Sequence, residues 1–165
     1  MVALRLVRLI EADSDKIARN LVSKIRKSSR ASQLQRVPEG ELLASMQQLL
    51  EHLREWLLTK TKTDIELHYR STGARLLRQN VALADVCWAV VITKEHLWDF
   101  LQKQAFLRSP VELYGEIELL CLLNHFFDRA LCHMVKGYED ERSKTDLEPG
   151  VQKNYHELNL AAFVP

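Results

Sequence analysis

The chain has 165 residues, 47% of them hydrophobic, with 23 Lys and Arg against 22 Asp and Glu and a formal net charge of +1. That is the size and apolar content of one folded domain with its own core. The balanced charge excludes the global field that draws a protein to nucleic acid or to anionic membranes, so neither is an expected partner.

Positive charge gathers only locally, from Arg5 to Arg36, where a solvated helix face is the ordinary explanation. The opening apolar stretch Val2 to Ile10 is broken by Arg5 and Arg8 and lacks a small-residue cleavage site, so it reads as neither a signal peptide nor a membrane span. Cys87, Cys121 and Cys132 form no Cys-x-x-Cys pair, and reduced thiols in a cytoplasmic protein are expected.

With only five glycines and four prolines, long segments keep helical phase, and about five helices are expected. The first spans roughly Leu4 to Ser28, with a break at Asp13-Ser14-Asp15 and an apolar face at Ile17, Leu21 and Ile25. Ser28 to Val37 is polar and reads as loop. The second starts at Pro38, where a missing N–H is harmless, and carries Leu42, Met46, Leu49, Leu50, Leu53 and Leu57 before the Thr59 to Thr63 run. A third, capped by Thr63 or Asp64, buries Ile65, Tyr69, Gly73 and Leu76 and ends near Asn80.

The fourth covers Ala82 to Gln104. Its centre, Val86 to Ile92, is apolar enough for a strand, but Leu83, Val90, Leu97 and Leu101 in phase favour helix. Ser109-Pro110-Val111-Glu112 combines an N-cap, a first-turn proline and a capping-box acid, and opens a long fifth helix to about Glu141. The domain is therefore expected over 1–142, as an antiparallel helical bundle, followed by a mostly irregular tail over 143–165 in which Phe163 could dock on the bundle.

Motifs for common chemistries are missing: no glycine-rich phosphate loop, no His-Glu-x-x-His, no Gly-x-Ser-x-Gly, and no Glu with a His three residues later as a di-iron bundle requires. A binding or regulatory protein is expected, not an enzyme, and neither cofactor nor metal is assigned. The alternative is a haem- or metal-binding helical protein using Cys121 and His125, with Asp128 and Cys132 on the same side of helix five. The aromatic set Trp56, Trp88, Trp98, Tyr69 and Tyr114 reads mainly as core filling. A candidate ligand pocket is drawn around Lys94, which falls in the apolar row Leu83, Cys87, Val90, Leu97, Leu101, with Asn124 and Trp98 as companions. A cation in an apolar pocket suits a small acid.

The run His68-Tyr69-Arg70-Ser71-Thr72-Gly73-Ala74-Arg75-Leu76-Leu77-Arg78-Gln79-Asn80-Val81-Ala82-Leu83-Ala84-Asp85-Val86, followed by Lys94-Glu95-His96-Leu97-Trp98, resembles the N-terminal sensory domain of the RsbRD type, found in co-antagonists of the RsbT kinase. Phe127-Asp128-Arg129-Ala130, Gly137-Tyr138-Glu139 and the opening Leu9-Ile10-Glu11 to Ile17 fit the same pattern, so the resemblance covers about Leu4 to Glu141. It implies a bacterial signalling module that binds a small molecule or a protein partner and transmits a change in helix packing, as part of stress-response regulation. Because related sensory domains are similar to globins without haem, it also offers a globin-like arrangement as an alternative to the plain bundle.

A homodimer built on helix five is also expected. Leu113, Ile117, Leu120, Phe127, Leu131, Val135 and Tyr138 suffice for one face toward the bundle, and Leu119, Leu122, Phe126 and Ala130 form a second stripe that a second copy could cover.

Overall fold

The computed structural model describes residues 2–59, 63–104 and 110–147. Among these there is no strand: α1 is Val2–Lys27, α2 Glu39–Thr59, α3 Thr63–Arg78, α4 Leu83–Gln104 and α5 Pro110–Leu147, with a 3₁₀ helix at Ser29–Arg36 between α1 and α2. The fold is the all-α bundle that helical phase implies.

Local chemistry sets the boundaries. Asp13 leaves helical geometry at φ −126°, ψ 17°, which puts a kink in α1 at the Asp13-Ser14-Asp15 interruption. Short polar side chains there compete with the helix for backbone hydrogen bonds. Asn80 ends α3 in the left-handed region at φ 55°. Its N–H donates to the Leu77 carbonyl at 2.8 Å and the Val81 N–H to the Leu76 carbonyl at 3.0 Å. This is a Schellman cap with asparagine in the usual glycine position.

The polar segment from Ser28 to Val37 is an ordered 3₁₀ helix rather than a loop, because it has somewhere to dock. Ala31 and Leu34 are buried, and Arg30 lies 4.1 Å over the Trp88 ring of α4. The Gln33 side chain accepts from the Ala82 N–H at 2.7 Å, while the Gln33 N–H donates to Asp85 Oδ2 at 2.8 Å. Ala82 is the N-cap of α4, so Gln33 satisfies a helix-end donor from outside the helix.

Val86 to Ile92 is helical, and α4 buries Val86, Val90, Thr93, Leu97 and Leu101. The buried row passes through Thr93, one residue before Lys94. Its hydroxyl donates to the Ala89 carbonyl at 2.7 Å, so the helix itself satisfies this buried polar group. α5 continues past Glu141 to Leu147, and residues 148–165, Phe163 among them, lie outside the described residues.

α5 is the central element, touched by all four other α-helices. Phe126 and Phe127 are both fully buried although successive helical residues point about 100° apart, so α5 is covered over a broad arc and not along a single stripe. The most extensive contact is with α3. Contacts progress in the same sense along both helices, from Tyr69 beside Phe126 to Arg78 beside Glu141.

Glycine makes that contact close. A methyl group at Gly73 would collide with the Met134 carbonyl oxygen and come within 3.0 Å of its Cα; one at Gly137 would collide with the Arg70 carbonyl oxygen and lie 2.7 Å from its Cα. Each backbone therefore presents a Cα–H to the other's carbonyl, a contact worth about 0.5–1 kcal/mol. Gly40, near the start of α2, has nothing within 4 Å of a added methyl group.

Alanine at these positions separates the two uses of glycine. Gly40→Ala is expected to raise unfolding free energy by about 0.4–1 kcal/mol by restricting the unfolded chain. Gly73→Ala and Gly137→Ala are each expected to lower it by about 1–3 kcal/mol or more, because backbone must move to admit the methyl. Urea denaturation of the three variants checks both signs.

Candidate functional site

The bundle is open where α3 lacks a close neighbour. α3 lies against α5, but its backbone makes no comparable approach to α2 or α4. Side chains bridge the gap instead. Gln79 Nε2 donates to both carboxylate oxygens of Glu41 at 2.9 and 3.0 Å, Arg75 Nε stands 3.3 Å from Glu41 Oε1, and Arg75 Nη2 donates to Ser45 Oγ at 3.2 Å. Beneath this polar lattice is a narrow cleft of about 70 Å³, lined mainly by Leu42, Met46, Leu49, Val86, Val90 and Met134.

Tyr69 and His68 also line the cleft. Tyr69 is 3% exposed, wedged edge-on against Phe126 at 6.1 Å, and its hydroxyl has no hydrogen-bond partner in the fold. Burial pushes its pKa well above the ordinary tyrosine value, so it stays a neutral phenol and a hydrogen-bond donor. A buried polar atom without a partner carries a penalty of about 1–3 kcal/mol. Tyr138 makes the contrast: its hydroxyl donates to the Val81 carbonyl at 2.9 Å.

His68 stacks edge-on with His52 at 4.5 Å and with Tyr69 at 5.0 Å. Burial holds its pKa below the ordinary histidine value, with further lowering from His52 and Arg75. His96 on α4 is lowered as well, first by burial and then by Lys24.

The residues singled out in the sequence fall elsewhere. Lys94 is 35% exposed, and its Nζ sits 3.8 Å from Asp128 Oδ1, a carboxylate 67% exposed. This is a surface ion pair between α4 and α5, and such pairs contribute about 0–1 kcal/mol. Lys94, Asn124 and Trp98 do not line the cleft. One residue of helical phase separates Lys94 from the interior.

Leu119, Phe126 and Ala130 are buried in the chain's own core and Leu122 is half-buried against it. The second stripe on α5 therefore needs no second copy to cover it. The first stripe differs as well: Ile117 is exposed, while Leu123 and Met134, which belong to neither stripe, are buried. Cys121, His125, Asp128 and Cys132 are all exposed, and no group of three or more His, Cys, Asp or Glu converges among the described residues. The signal that could have located the cleft is the spacing Tyr69, Thr72, Leu76, Gln79 on one face of α3, where polar residues interrupt an apolar row.

Two expected outcomes follow from these environments. Tyr69→Phe should leave stability unchanged or raise it by about 1 kcal/mol, because it removes an unpaired hydroxyl, whereas Tyr138→Phe should lower it by about 1–3 kcal/mol by leaving a buried carbonyl unpaired. Urea denaturation at neutral pH compares them. For His68 and His96 the folded pKa lies below the unfolded value of about 6.5, so the unfolded chain binds more protons and stability falls as pH drops through that value. His68→Gln should flatten part of this slope in denaturation curves taken between about pH 5 and pH 7.5.

Among the described residues no helix is long and apolar enough to cross a membrane. Neither the curated proteins nor the solved structures contain a match to the chain. One family does match: the RsbT co-antagonist protein rsbRD N-terminal domain, over residues 15–148. That span runs from the kink of α1 to just past the end of α5, and so takes in α2, α3, α4, the α3–α5 contact and the cleft. The chain belongs to the family of RsbT co-antagonist rsbRD N-terminal domains, and is a regulatory domain of stress signalling.

Proposed function

We propose that this domain is the signal-receiving part of a bacterial stress-regulatory system, working in the cytoplasm without catalysis of its own. It binds a small molecule or a protein partner and passes the event on as a change in how α3 seats on α5, with an RsbT-type kinase pathway as the downstream target. The observation that carries this reading is the glycine contact: Gly73 and Gly137 bring the backbones of α3 and α5 so close that neither position has room for a Cβ. Packed contacts of this kind tend to have discrete arrangements, which is what a switch needs. The ion pairs Arg70–Asp140, 2.9 Å, and Arg78–Glu141, 2.6 Å, join α3 to the C-terminal part of α5 and supply a second coupling.

Self-association belongs to the proposal only on a revised surface. The exposed Tyr114 and Ile117, one turn apart on α5, remain available after the core has taken Leu119, Phe126 and Ala130. Light scattering of the intact chain at micromolar concentration should give twice the protomer mass, and a monomer there removes the dimer from the reading.

Replacing the gene for the chain by variants in its host, with a stress-response reporter, tests the coupling. Arg70→Gln removes ion pairs to Glu66 and Asp140 without adding a clash and should change the ratio of induced to basal reporter several-fold at equal protein level. Gly40→Ala should respond as wild type. An Arg70→Gln and a Gly137→Ala strain that both respond as wild type would contradict the reading.

A further inference from the structure

We propose that the cleft between α2, α3 and α4 is a binding site for a small, uncharged, largely apolar molecule bearing a hydrogen-bond acceptor, which the Tyr69 hydroxyl receives. This names a ligand class for the signal of the proposed function and rests on that reading only for its meaning as a signal.

Three observations fix the class. The walls contributed by Leu42, Met46, Leu49, Val86, Val90 and Met134 favour apolar surface. Tyr69, 3% exposed, places an unpartnered donor on the cleft, and the side-chain oxygen of Gln79 is likewise buried without a partner. An acceptor atom on a ligand would complete the first, and a hydroxyl or amide N–H elsewhere on it would complete the second. Ten residues separate Tyr69 from Gln79, the residue just after α3, about 15 Å along the helix axis, so one small molecule need not reach both.

The charges already in the cleft exclude an ionic ligand. Glu41 and Arg75 neutralise each other at 3.3 Å, and Gln79 donates to both Glu41 oxygens. His68 is held toward its neutral form. A carboxylate or an ammonium entering the cleft would lose water without meeting a free counter-charge.

The probe for this site is prodan, 6-propionyl-2-dimethylaminonaphthalene, which is neutral, apolar and carries one carbonyl whose hydrogen bonding shifts its fluorescence. Titrated into the full chain, prodan should bind at one site, and 2-naphthoate, an anion of similar breadth, should not compete. Tyr69→Phe should weaken prodan binding about three- to tenfold, the worth of one hydrogen bond, and move its emission to shorter wavelength. Ala89→Leu, which fills the cleft from α4, should abolish binding, and Leu67→Ser on the exposed side of α3 should leave it unchanged.

Absence of saturable prodan binding to wild type would overturn the proposal. So would equal affinity and emission in wild type, Tyr69→Phe and Ala89→Leu. A Tyr69→Phe chain that binds prodan weakly yet gives normal stress induction in the host would uphold the site and contradict the signalling reading. The two failures are therefore distinguishable.

Discussion

The contact of α3 with α5 through Gly73 and Gly137 is the constraint from which the rest of the architecture follows. Two helices normally sit 8–10 Å apart, held off by the side chains between them. Here each carbonyl, that of Met134 and that of Arg70, occupies the space where the other helix would carry a Cβ. No substitution at either glycine preserves that spacing. Because α3 is drawn onto α5, Tyr69 reaches Phe126, and the α3 end is tied down by the Tyr138 hydroxyl on the Val81 carbonyl.

α2 and α4 approach α3 less closely, and side chains make the contact: Arg75 and Gln79 on Glu41, Arg75 on Ser45, and His68 against His52. The bridge of Arg75, Glu41, Gln79 and Ser45 is polar, while the rest of the cleft lining is mainly apolar. A domain that packed α3 evenly against all its neighbours would have no cleft and no unpaired Tyr69. A partly satisfied polar network carries a stability penalty, and such penalties persist where function uses them. The cleft and the glycine contact share α3: Tyr69, Thr72 and Leu76 line one, and Gly73 makes the other. An occupant of the cleft would therefore touch the helix that makes the glycine contact with α5.

The helices were legible in the sequence because their signals are local. Apolar phase marked all five, the polar triplet at Asp13 marked the kink, and the length of the pattern around Val86 to Ile92 decided helix over strand. The resemblance carried by His68 to Val86 also pointed to the family that matches. Which side of each helix faces which neighbour is not a local property. Lys94 and Thr93 are one residue apart, and a threonine that satisfies itself on the Ala89 carbonyl is invisible as a core residue to a count of apolar positions. On α5 a two-stripe reading presumed a peripheral helix, whereas a central helix is covered on several sides, so Leu119, Phe126 and Ala130 needed no external partner. The 3₁₀ helix was missed because its order comes from Asp85, Trp88 and Ala82, all far along the chain. The cleft was missed for a related reason: a void is a property of what does not meet, and no single helix pattern encodes it.

Nuclear Overhauser contacts measured on the isotope-labelled chain test the central contact most directly. Backbones this close place the Gly73 Hα protons beside the backbone protons of Met134, and the Gly137 Hα protons beside those of Arg70. Strong cross-peaks for both pairs are the expected result. If both glycines and their neighbours are assigned and neither pair gives a cross-peak, α3 and α5 are held apart by side chains, and the coupling built on their contact is contradicted.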